Sequence, residues 1–161
     1  MKLSSNKFII DPPKVTWVLA ANRVGAVIFR KVKGAHLEFL ERYENPTGRL
    51  REQELASDSP GKVKTNAFSG HGLGQQNLLH EQAALRFAKR LARQVNMAKE
   101  EGRFDDLVLI AEPRFLGFLR TAFAKKLERL QPKTINREIK FIDTKRIEKR
   151  VTNLLRTGLS A

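Results

Sequence analysis

A chain of 161 residues with 41% hydrophobic and 30% charged side chains has room for one ordinary core and not comfortably for two. The absence of cysteine excludes disulfides and thiolate metal sites, and a net charge of +14 predicts attraction to polyanions such as RNA, DNA or anionic lipid. The excess is uneven: residues 1–75 carry 12 basic against 7 acidic side chains and residues 76–161 carry 19 against 10, so the second half is expected to face the anion.

Residues 1–15 offer only the apolar triplet Phe8–Ile10 before a double proline, which reads as a flexible lead-in and not as a signal peptide. No apolar run approaches the roughly 20 residues of a membrane span. A cytoplasmic address is expected, with residues 16–161 forming a single domain. Thr16–Ala21 and Ala26–Val32 are apolar, β-branched and aromatic runs joined by "NRVG", a hairpin-type connection. Lys33 and Gly34 turn the chain into "AHLEFLERY", a third antiparallel strand. From Glu44 to Gln76 periodicity is lost and prolines and glycines recur, so a long functional or irregular loop is predicted, ending in "SGHGLGQQ" (Ser69–Gln76).

Between about Asn77 and Gly102 the period is helical, with Ala84, Phe87, Ala88, Leu91, Val95 and Ala98 on one stripe and Arg86, Lys89, Arg90 and Arg93 on the opposite one. Leu107–Ala111 is a continuous apolar run, expected as a strand buried on both faces. Pro113 suits the first turn of a helix reaching Leu130, stopped by Pro132, with Phe115, Leu119, Ala122, Phe123, Leu127 and Leu130 inward. "REIKFIDT" (Arg137–Thr144) reads as a last strand, and "KRIEKRVTNLLRTG" as a terminal helix closed by Gly158. The order β-β-β-α-β-α-β-α with a β-α-β crossover predicts an α/β fold, a mixed sheet with helices packed on it. Ribonuclease H-like folds and the middle domain of eukaryotic and archaeal class-1 release factors share that order.

The blocks "ENPTGRLREQELASDSPG" (Glu44–Gly61), "HEQAALRFAKRLA" (His80–Ala92) and "EGRFDDLVLIAEPRFLGFLR" (Glu101–Arg120) resemble the bacterial host attachment family, also described as bacterial-archaeal release-factor-like proteins. The likeness covers most of the chain from Trp17 onward. Its more distant side, toward release factors, implies a Gly-Gly-Gln-type loop ahead of a basic helix that helps water attack the peptidyl-tRNA ester. Gly72, Gly74 and Gln75 stand in that relative place, but Leu73 interrupts the glycine pair, and a mobile tether between strand and helix is the plainer reading.

Other chemistry has little support in the residues. His71 and His80 lack paired-ligand spacing, so no metal and no cofactor is expected. The first strand carries no carboxylate for a two-metal nuclease, and Asp105, Asp106 and Glu112 flank a single strand. "SDSPGK" lacks the glycine spacing of a phosphate-binding loop. The expected function is a non-enzymatic RNA-binding module, acting on ribosome or tRNA without codon recognition. Arg86, Lys89, Arg90, Arg93 and Arg114 are its expected phosphate contacts, although Arg114 suits a structural ion pair with Glu112 or Asp106 better than a ligand. The alternatives are an interaction protein meeting an acidic protein or surface, and a peptidyl-tRNA or nucleic-acid hydrolase.

Overall fold

Apolar alternation in the first strand governs the layering. In β1 (Thr16–Ala21) Trp17, Leu19 and Ala21 point to one face of the sheet and Val18 and Ala20 to the other, and all five are buried. The computed structural model describes residues 13–32, 36–49 and 69–158 and, within them, all side chains except those of 69–73, 76 and 127. The first twelve residues of the lead-in and residues 50–61 of the "ENPTGRLREQELASDSPG" block lie outside these.

β2 (Gly25–Lys31) pairs antiparallel with β1, and β3 (Leu37–Glu44) antiparallel with β2. β4 (Asp106–Ala111) and β5 (Lys133–Asn136) add in parallel on the other side, giving one five-stranded mixed sheet in the order β3-β2-β1-β4-β5. The expected mixed α/β architecture is therefore present. A register shift between Ile28 and Phe29 marks a bulge in β3 at Leu40, which has no partner on β2. Leu40 packs on the face of Trp17, while Leu37 joins the face of Val18.

Four stretches differ from the sequence reading. A short helix, α1 (Pro46–Arg49), follows β3 directly. The next helix, α2 (Ser69–Glu100), begins eight residues before the expected Asn77, so "SGHGLGQQ" is helix and not loop. Among the described residues nothing lies within 4 Å of a Cβ added at Gly74, so no close approach among them explains that glycine. The helix after β4 is broken into α3 (Pro113–Phe123) and α4 (Lys126–Leu130) at Ala124, which has φ of 49°. β5 lies at Lys133–Asn136, ahead of the expected Arg137–Thr144. Its partner β4 ends at Ala111, opposite Asn136, and Pro113 then opens α3, so "REIKFIDT" has no ladder left to join. Ile139 from that segment is buried nonetheless.

α2, α3 and Leu130 of α4 cover the Trp17 face, where Phe87, Leu91 and Val95 meet Leu109, Phe115 and Leu119. The terminal helix α5 (Thr144–Gly158) covers the opposite face through Ile147, Val151 and Leu154. α2 ends in a Schellman arrangement, with Gly102 at φ +72° and the Arg103 N–H donating to the Ala98 carbonyl at 3.0 Å.

Candidate functional site

The carboxyl ends of β1, β3, β4 and β5 share one edge of the sheet, because β2 alone runs the other way. At this edge the β1–β2 turn is tied by asparagine. Asn22 Oδ1 accepts from the Val24 and Gly25 N–H groups at 2.7 and 3.0 Å, and its Nδ2 donates to the Ile139 carbonyl at 2.7 Å. Asn45, 7% exposed at the end of β3, donates from Nδ2 to the Arg23 carbonyl at 2.7 Å. Gly48 lies against the same turn, where a Cβ would collide with the Arg23 carbonyl oxygen. The Phe141 ring lies over Gly25, and Arg42 stacks 4.0 Å from its centroid while donating to the Ile142 carbonyl and to Thr144 Oγ1.

α2 runs along this framework. Its 32 residues span roughly 48 Å at 1.5 Å per residue, more than twice the roughly 20 Å of a six-residue strand, so its first turns extend past the edge. Where it passes Asn45 and Thr47 it forms an open cleft of about 240 Å³, lined by Asn45, Thr47, Ala83, Arg86, Phe87 and Arg90. Phe87 is the floor, 2% exposed. Arg90 is held in place: its guanidinium donates to the Glu44 carbonyl at 2.7 Å and lies 5.0 Å from the Phe87 ring centroid.

Arg86, Lys89, Arg90 and Arg93 are all exposed and opposite the buried stripe of α2, with Arg86 and Arg90 flanking the cleft beside the end of β3. Among the described residues, none of the four has a carboxylate partner within ion-pair distance, although five other basic side chains do. Arg114 stands apart from the ridge. It pairs with Glu81 of α2, a residue 33 positions away, and not with Glu112 or Asp106. Asp105 is also engaged, accepting from the Val15 N–H at 2.8 Å. Gly72, Gly74 and Gln75 lie in the first two turns of α2, where a regular helical backbone makes no use of glycine's extra freedom.

On β3, burial raises the Tyr43 phenol above its ordinary value, and the Glu41 carboxylate adds to the rise through a hydrogen bond and its charge. Sequence reasoning passed over Asn22, Asn45 and Phe141. The legible trace of them was "NPTG" at Asn45–Gly48, a turn signature that was absorbed into a supposed loop.

A family model described as "Protein required for attachment to host cells" matches residues 17–151. The chain belongs to that family. The cleft and the ridge both fall within the matched residues of this host attachment domain. No curated protein matches it. Among solved structures it is similar to an archaeal translation termination factor, aRF1, at 10% identity and a TM-score of 0.44, covering 89% of this chain and 39% of that one. At that distance the likeness bears on neither activity nor partner. Among the described residues of this host attachment protein, no helix is long and apolar enough to cross a membrane.

Proposed function

We propose that this host attachment family protein is an RNA-binding module that acts on ribosome or tRNA without codon recognition, using the outer face of α2. The observation that carries the reading is the ridge itself: Arg86, Lys89, Arg90 and Arg93 stand exposed, without carboxylate partners among the described residues, beside a cleft floored by Phe87. On a chain of net charge +14 such a face attracts phosphates independently of sequence. A hydrolytic role for Gly72, Gly74 and Gln75 presupposes an irregular loop, and their helical setting leaves that role without support.

The family's description favours a second reading, in which the same face meets an acidic protein or surface and supports attachment. Co-sedimentation with ribosomes at low and high salt separates the two. The RNA reading expects binding that falls with salt and is weakened by Arg86→Glu with Lys89→Glu, each lost phosphate contact flattening the log affinity against log salt slope by about 0.7 to 0.9. An unchanged slope and affinity in the folded double variant overturns it. These two positions are chosen over Arg90 because Arg90 also fastens Glu44.

A further inference from the structure

The terminal helix presents a second basic face. At 100° per residue, Lys145, Lys149 and Arg156 fall within one sector roughly 40° wide, opposite the buried Ile147, Val151 and Leu154. All three cations are exposed. Arg146, beside them, is occupied by Asp143 at 3.2 Å, whereas among the described residues Lys145, Lys149 and Arg156 have no acidic partner within ion-pair distance. The three cations therefore make no ion pair among the described residues.

Its position relative to the α2 ridge gives it meaning. α2 packs on the Trp17 face of the sheet and α5 on the Val18 face, so the two stripes point in opposite directions. Two helix layers with a sheet between them separate the outer surfaces by roughly 30 Å. A short duplex cannot touch both.

We infer that α5 is a second, independent polyanion-binding face, and that the domain bridges two segments of structured RNA, one on α2 and one on α5. The inference rests on the RNA-binding reading of α2. A membrane surface fits α5 less well, because a membrane-surface helix inserts its apolar side, and here that side is buried against the sheet, with Ile147 1% and Val151 0% exposed. A protein partner also fits less well, since lysine is depleted in protein interfaces and two of the three cations are lysines.

The test is the stoichiometry of the full chain with a short RNA hairpin whose stem is under one helical turn, read by analytical ultracentrifugation at low salt. Wild type is expected to saturate at two hairpins per protein. Lys145→Glu with Lys149→Glu should saturate at one, as should Arg86→Glu with Lys89→Glu, each with an unchanged circular dichroism spectrum. The four changes together should abolish binding. Saturation of wild type at one hairpin, or two hairpins retained by the α5 variant, overturns the second face and leaves the α2 reading standing. No binding by wild type overturns both. Binding to anionic phosphatidylserine vesicles that depends on Lys145 and Lys149, with one hairpin bound, assigns the face to lipid and overturns the bridging model.

Discussion

At the scale of single residues, the carboxyl edge of the sheet is held by side chains that do two things at once. Asn45 closes the end of β3 and reaches across to the β1–β2 turn, and Arg90 both faces solvent and caps the Glu44 carbonyl. Phe87 is their common support, touching Phe115 at a centroid distance of 6.1 Å below and Arg90 above. Phe87→Ala should destabilise the domain by about 3 to 5 kcal/mol, measured by urea unfolding, and a smaller loss of RNA affinity should follow from the freed Arg90. Tyr43 yields a prediction of opposite character. Its folded phenol holds its proton above the ordinary value of 10.0, so the unfolded chain ionises first as pH rises, and stability is full below pH 10.0 and falls above it. The unfolding free energies of wild type and Tyr43→Phe should run parallel from neutral pH to about 10, after which wild type should lose stability faster. Parallel curves throughout would show that the phenol is as free in the folded state as in the unfolded one.

At the scale of elements, α2 carries most of the functional content and also the largest departure from expectation. Glycine lowers helix propensity by about 1 kcal/mol against alanine, and Gly70, Gly72 and Gly74 lie close together in its first turns, which is why the sequence reads there as loop. The structure places them in helix where Gly74 meets nothing within 4 Å. Gly74→Ala should therefore stabilise the domain or the helix end by about 0.4 to 1 kcal/mol, with a gain in helical circular dichroism. A loss of stability would mean that Gly74 needs a conformation closed to alanine. The break between α3 and α4 leaves no such trace in the sequence. The inward stripe of Phe115, Leu119 and Phe123 runs unbroken into Leu130 in sequence, and nothing in that period marks Ala124 as the residue that leaves the helix.

At the scale of the whole molecule, two cores share one sheet and two basic stripes face away from each other, so charge that reads as a single excess in composition is distributed over two surfaces. The sequence by itself determined the strand and helix order apart from α1 and the α3–α4 break, the inward stripes of α2 and α3, and the basic ridge opposite Phe87 and Leu91. Those follow from the two backbone periodicities, which repeat within a few residues and need no distant partner to be read. Tertiary structure alone decided what depends on pairing across long separations. The partner of Arg114 proved to be Glu81, 33 residues away, where proximity in sequence pointed to Glu112 or Asp106. β5 settled on Lys133–Asn136 because β4 ends at Ala111, a limit written in another strand. Phe141 lost its place in a strand and lies over Gly25 at the start of β2, 116 residues earlier, where any side chain would collide with its ring.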